Sequence, residues 1–87
     1  KLFVPNAFTP NNEGINDTWL IETLHAYPGA EVRVYNRYGQ IVFDNHGSNT
    51  SWDGKFKGLP VSSGAFVYII DLKNKTQLIK GVVNVLL

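Results

Sequence analysis

An all-β fold, an immunoglobulin-like antiparallel β-sandwich of about seven strands, is what this sequence predicts, and three observations carry the prediction. Its apolar runs either alternate with polar residues or are solidly β-branched and aromatic, and none keeps a helical period over any length. Clusters of Gly, Pro, Asn and Ser cut these runs about every 8–12 residues. The chain is also short. Its 87 residues form one small domain, which buries roughly 60–65% of the surface its unfolded chain exposes.

Taken in order, Leu2-Phe3-Val4 and Thr18-Trp19-Leu20-Ile21 read as strands separated by a polar loop. Residues 21–26 leave room for a single helical turn. The stretch Glu31-Val32-Arg33-Val34-Tyr35-Asn36-Arg37 alternates polar with apolar residues, the mark of a strand with one wet face. Tyr38-Gly39 turns the chain and Gln40-Ile41-Val42-Phe43-Asp44 returns, so the two runs form an antiparallel hairpin. Ala65-Phe66-Val67-Tyr68-Ile69-Ile70-Asp71-Leu72 is the strongest strand. Lys73-Asn74-Lys75-Thr76 is a polar turn, and the chain runs back from Gln77 to Leu86. Gly81 interrupts that return and reads as a bulge. Val82-Val83-Asn84-Val85-Leu86-Leu87 reads as a strand buried on both faces, so the C-terminal segment is structural.

Composition narrows the function. Hydrophobic residues make up 44% of the chain and charged residues 17%, a globular rather than a disordered balance. The net charge is +1 with no basic block, so nothing attracts nucleic acid electrostatically. No apolar run approaches the roughly 20 residues of a membrane-spanning helix, so membrane insertion is not expected. There is no cysteine, which excludes disulfides, thiol nucleophiles and thiolate zinc sites. Methionine is absent even at position 1, so residues 1–87 read as a single domain excised from a longer polypeptide.

Three polar clusters invite chemistry. In Pro10-Asn11-Asn12-Glu13-Gly14-Ile15-Asn16-Asp17, the oxygens of Asn11, Glu13 and Asp17 surround Gly14 much as a calcium loop spaces its ligands. The other reading is a tight loop whose Asn and Asp side chains bond their own backbone. Only two of those side chains are anionic and the full twelve-residue calcium pattern is missing, so no cofactor is the expectation. In Ser51-Trp52-Asp53-Gly54-Lys55-Phe56-Lys57-Gly58, Trp52 either stacks on a sugar whose hydroxyls Asp53 bonds or buries its ring beside an Asp-Gly turn. Arg37 and Tyr38 sit at a hairpin tip, where the guanidinium either meets a partner's carboxylate or only stacks on a ring. His25 and His46 read as surface loop residues. No serine stands in a nucleophile-elbow context and no carboxylate pair suits glycoside chemistry, so the chain is not expected to be an enzyme.

One set of residues is more specific. Val4-Pro5-Asn6-Ala7-Phe8-Thr9-Pro10-Asn11, then Gly14-Ile15-Asn16-Asp17 and Trp19, resembles the opening of the gliding motility-associated C-terminal domains. These are also known as type B sorting domains of the type IX secretion system of Bacteroidetes. The resemblance continues through Val34-Tyr35-Asn36-Arg37-Tyr38-Gly39-Gln40 and Trp52-Asp53-Gly54. It also takes in Val42-Phe43, Gly58, Leu59-Pro60, Gly64, Phe66, Tyr68 and Ile70, and closes on Lys80-Gly81-Val82. Where the family loop usually reads Asn-Gly-Asp-Gly, this chain has Asn11-Asn12-Glu13-Gly14.

The resemblance implies a folded export address for covalently fused upstream cargo, in the periplasm in transit and then at the cell surface or secreted. Its partners would be the outer-membrane translocon with associated shuttle or acceptor proteins, and a tail of this kind would be a monomer. Loops carry function on such scaffolds. The expected recognition surface is therefore the sandwich end holding Asn6, Phe8, Pro10, Asn11, Asn16 and Asp17, joined by Arg37, Tyr38 and Gly39. A second route is pairing of an exposed edge strand, the last one, with a partner. Trp52, Asp53, Gly54, Gly58, Gly64, Tyr68 and Gly81 would serve the fold. An adhesive or carbohydrate-binding module on the same sandwich is the competing reading.

Overall fold

The computed structural model describes residues 2–14, 16–47 and 50–87. Ile15 of the loop motif lies outside them. Nine short strands and one 3-10 turn follow in order: β1 (Ala7–Phe8), β2 (Trp19–Leu20), the turn (Glu22–Ala26), β3 (Glu31–Tyr35) and β4 (Ile41–His46). Then come β5 (Ser51–Trp52), β6 (Lys55–Phe56), β7 (Leu59–Pro60), β8 (Gly64–Asp71) and β9 (Ile79–Val85). A five-stranded sheet in the order β1-β9-β8-β3-β4 forms one layer, and the two-stranded sheets β2-β5 and β6-β7 supply the other strands. The expected all-β sandwich is present. Pairing is antiparallel throughout except that β1 runs parallel to β9.

The first strand begins later than expected. Leu2 and Val4 pack against the core without pairing, and Pro5, which has no N–H to offer, interrupts the run. The Asn6 carbonyl then accepts the N–H of Asn84 at 2.8 Å and its Nδ2 at 3.1 Å, which starts the β1–β9 pairing. The helical turn falls where residues 21–26 allowed one, and it buries Leu24.

The β3–β4 hairpin forms as its alternation predicts, with Val32 and Val34 buried and Glu31, Arg33 and Tyr35 on the wet face. The register shifts between Val34 and Tyr35, a bulge that tightens the approach to the turn. His46 closes β4 opposite Glu31, and its Nδ1 lies 3.3 Å from a Glu31 carboxylate oxygen, so it is a strand residue rather than a loop residue. His25 belongs to the 3-10 turn.

The core lies between the layers and is built on aromatic rings. Trp52 is 1% exposed, with Phe8 and Phe66 at 5.5 Å and Phe43 at 6.0 Å between ring centroids. Trp19 is fully buried, 5.3 Å from the ring of Tyr68. Both indole N–H groups are satisfied, Trp19 donating to the Pro5 carbonyl at 2.7 Å and Trp52 to that of Lys55 at 3.1 Å. Buried Thr50 accepts a hydrogen bond from Asn45 at 3.0 Å, so this polar group is not stranded.

The C-terminal half corrects three expectations. β9 keeps an unbroken register across Gly81, which pairs with Tyr68, so the glycine marks no bulge. β9 is buried on one face only: Val83 and Val85 point inward, while Val82 and Leu86 are about half exposed, because the second layer covers a single face of the large sheet. Nor is β9 an edge strand. It lies between β1 and β8, and the edges of the sheet are β1 and β4.

Candidate partner-binding site

Parallel pairing of β1 with β9 sends the chain after Phe8 to the end of the sheet where β8 begins and β3 finishes. The loop to Asp17 and the turn at Arg37-Tyr38-Gly39 therefore share one end of the sandwich. They lie on opposite sides of it. β9 and β8 stand between β1 and β3, a separation of roughly 14 Å at the usual strand spacing.

The loop is closed by its own side chains. Asp17 accepts the N–H of Glu13 at 3.2 Å and that of Gly14 at 2.6 Å, and Asn11 Oδ1 accepts the Glu13 N–H at 3.2 Å. Asn11 Nδ2 donates to the Glu13 carboxylate at 3.0 Å. Of the oxygens considered as calcium ligands, those of Asn11 and Asp17 hold the loop's backbone and that of Glu13 accepts the Asn11 amide. Asn12 stands in the left-handed region at φ 62°, a conformation that asparagine tolerates better than most side chains. Asn11, Asn12, Glu13, Gly14 and Asn16 are exposed, and Asn6 is exposed at the loop's entrance. Phe8 is 2% exposed and belongs to the core rather than to this surface.

Pro10 ties the loop to the second layer. A Cβ on Gly54 would come within 3.0 Å of the Pro10 ring and 3.4 Å of Phe8, and Gly54 has φ +77°. Glycine is therefore required there twice over, by space and by backbone. Asp53 caps the same turn, accepting the Lys55 N–H at 3.1 Å. With its ring buried, Trp52 offers no platform to a sugar, and the stacking role considered for it is overturned. Gly58 turns β6 into β7, and Gly64 opens β8.

On the other side, Asn36 builds the hairpin turn. Its Oδ1 accepts the N–H of Tyr38 at 2.9 Å and of Gln40 at 3.0 Å, while its Nδ2 donates to the Gln40 side chain at 3.0 Å. Held this way, Arg37 lies 5.1 Å from the centroid of the Tyr38 ring and donates from Nη2 to the Tyr38 hydroxyl at 3.0 Å. Tyr38 is 79% exposed.

This turn faces an open groove of about 430 Å³, bounded opposite by Phe56, Leu59 and Pro60 of the β6–β7 hairpin and by the segment from Val61 to Ala65. The groove brings together Arg37, Tyr38 and Gly64 and none of the residues from Asn6 to Asp17. Leu59, 70% exposed, is a groove residue that the sequence reading placed within the family resemblance but gave no role at a site. Its signal was an apolar side chain directly after the Lys57-Gly58 turn. Among the described residues, no group of three or more His, Asp or Glu side chains gathers as a metal site, and no helix is long and apolar enough to cross a membrane.

Comparison with known proteins agrees with this architecture. Solved structures include a similar one in PorZ, described as an essential bacterial surface component of the type IX secretion system of Porphyromonas gingivalis. The TM-score is 0.74 at 18% identity, and the match covers 98% of this chain but 11% of that one, so the likeness is one of fold. No curated protein matches the chain in sequence. A family model of the type IX secretion signal domain, CHU_C, matches residues 2–85. With strands, loop motif and turns all inside that match, the chain belongs to the type IX secretion signal domain family.

Proposed function

We propose that this domain is a folded export address, carrying covalently fused upstream cargo from the periplasm across the outer membrane to the cell surface or the medium. The observation that carries the reading is the family match over residues 2–85, on a sandwich whose polar loop and hairpin turn are both fastened by their own side chains. An outer-membrane translocon, with its shuttle or acceptor proteins, reads the folded surface rather than a linear stretch. A pre-ordered surface loses little entropy on binding, so such recognition costs little. In this role the domain is a monomer without catalytic activity and without a required cofactor.

Fusing residues 1–87 to a periplasm-directed fluorescent protein in a gliding bacterium tests the proposal. Fluorescence outside cells that own a type IX translocon, and none outside cells lacking it, is the expected result. Fusion protein that folds but stays in the periplasm of both strains would overturn it.

A further inference from the structure

We infer that the groove between the β3–β4 turn and the β6–β7 hairpin binds an extended peptide segment of a partner protein, one that alternates acidic with aliphatic side chains. The inference names the partner chemistry of the export address and rests on that reading for its biological setting, but its binding step can be tested separately.

Charge is the first argument. On the turn's wall Arg37 lies 5.1 Å from the Tyr38 centroid, and the Lys57 ammonium, which does not itself line the groove, lies 5.3 Å from that of Phe56 on the opposite wall. Arg37 is the only charged residue lining the groove, and no carboxylate lines it. Neither cation has an ion-pair partner among the described residues. Stacking holds each cation in place without neutralising it, which leaves Arg37 free for a carboxylate in the groove and Lys57 adding positive charge near its rim.

The apolar surface is the second argument. Tyr38, Phe3 and Leu59 are, in that order, the most exposed large hydrophobic residues among those described, and Tyr38 and Leu59 both face this groove. Aliphatic walls of Leu59, Pro60 and Val61 suit aliphatic side chains. A sugar would want flat aromatic faces with carboxylate or amide groups to bond its hydroxyls, and of the latter the lining holds only Asn36. That amide is already committed to the turn. The main-chain groups of Ser62 and Ser63, at the groove's edge, make no backbone–backbone hydrogen bond among the described residues, with only the Ser63 hydroxyl taken up by the Leu87 N–H at 3.1 Å, so the chain there is open to pairing with a peptide backbone.

The test is a titration of isotope-labelled residues 1–87 followed by amide chemical shifts, to about 1 mM probe. The probes are Gly-Leu-Asp-Leu-Asp-Leu-Gly, its counterpart with both Asp replaced by Lys, and a neutral and a sulfated oligosaccharide. The acidic peptide is expected to move the signals of Arg37, Tyr38, Leu59, Val61 and Ser62, and the lysine peptide to leave them in place. Arg37→Glu should weaken the acidic peptide by about tenfold or more, the scale of one charge-assisted hydrogen bond, and improve binding of the lysine peptide. Leu59→Asp, at an exposed position that leaves the fold intact, should abolish binding of the acidic peptide.

No shift at these residues, equal shifts with both peptides, or shifts with an oligosaccharide instead would overturn the inference. The secretion assay separates the two readings. Export that survives both Arg37→Glu and Leu59→Asp would leave the export address standing and remove the groove from it. Peptide binding by a domain that fails to export would do the reverse.

Discussion

The ring of Tyr68 lies directly over Gly81, its cross-strand partner on β9. A Cβ built on Gly81 would meet the Tyr68 hydroxyl and ring, with Cε2 only 2.8 Å away. Tyr68 in turn packs on Trp19, so the missing side chain at position 81 is what lets the β8 ring reach the second tryptophan of the core. Gly81→Ala should therefore destabilise the domain by about 1–3 kcal/mol, the usual cost of overpacking. Urea unfolding measures this. The double variant Gly81→Ala with Tyr68→Leu should recover part of the loss, because the clash is with the ring.

Trp52 has a larger effect. It touches three aromatic rings and donates a hydrogen bond to Lys55, so Trp52→Ala should cost about 3–5 kcal/mol and leave a domain of this size largely unfolded. Circular dichroism and tryptophan fluorescence read the outcome. A folded Trp52→Ala protein that had lost only sugar binding would contradict the buried role.

Asn36 holds the hairpin turn, and its effect should appear in both stability and recognition. Asn36→Ala strips the acceptor from the N–H groups of Tyr38 and Gln40, at an expected cost of about 1–3 kcal/mol. Amide exchange at Tyr38 and Gln40 should quicken while exchange in β8 stays slow, since the loosened turn lies at the margin of the sheet.

Asp17 makes the corresponding contribution to the loop. Asp17→Ala removes the acceptor of two backbone N–H groups and should cost about 1–2 kcal/mol. Because those carboxylate oxygens already have protein partners, adding calcium or a chelator should leave the melting temperature of the unaltered domain unchanged. A calcium-dependent rise would show that the loop rearranges around the ion. In the secretion assay, Asp17→Ala should reduce export only if the loop surface is read.

Deleting residues 82–87 should abolish folding. The deletion removes Val83 and Val85 from the core and strips β1 of β9, the strand it pairs with among the described residues. Loss of native signal in the amide spectrum is the expected result. A folded truncated domain would mean that β8 tolerates becoming an edge.

Much of this was legible in the sequence because it depends on neighbours. Alternation in residues 31–35 separates a wet face from a buried one, and Tyr38-Gly39 predicts the hairpin whatever lies beyond it. The loop motif and its Asn and Asp residues predict backbone-bonding side chains, and a family with glycine in place of Asn12 matches the left-handed backbone found there. Membership in the type IX secretion signal domain family was readable through the same motif, since it spans residues close in the chain.

What the tertiary structure decided depends on residues distant in sequence. Gly81 looks like a bulge until Tyr68 is laid across it, thirteen positions away in the chain. Trp52 reads as a core residue beside an Asp-Gly turn, with a sugar platform as the lesser alternative, and only Phe8 and Phe66 closing around it remove that alternative. Burial of β9 could not be read from its valines, because apolar residues describe a strand's own chemistry and not how many layers cover it. The groove joins a turn at residues 36–40 to a hairpin at residues 55–60, and only the packing of the layers sets them face to face. Local chemistry selects the strands and turns. The contacts that place a side chain in the core or at the surface come from whichever distant segment folds against it.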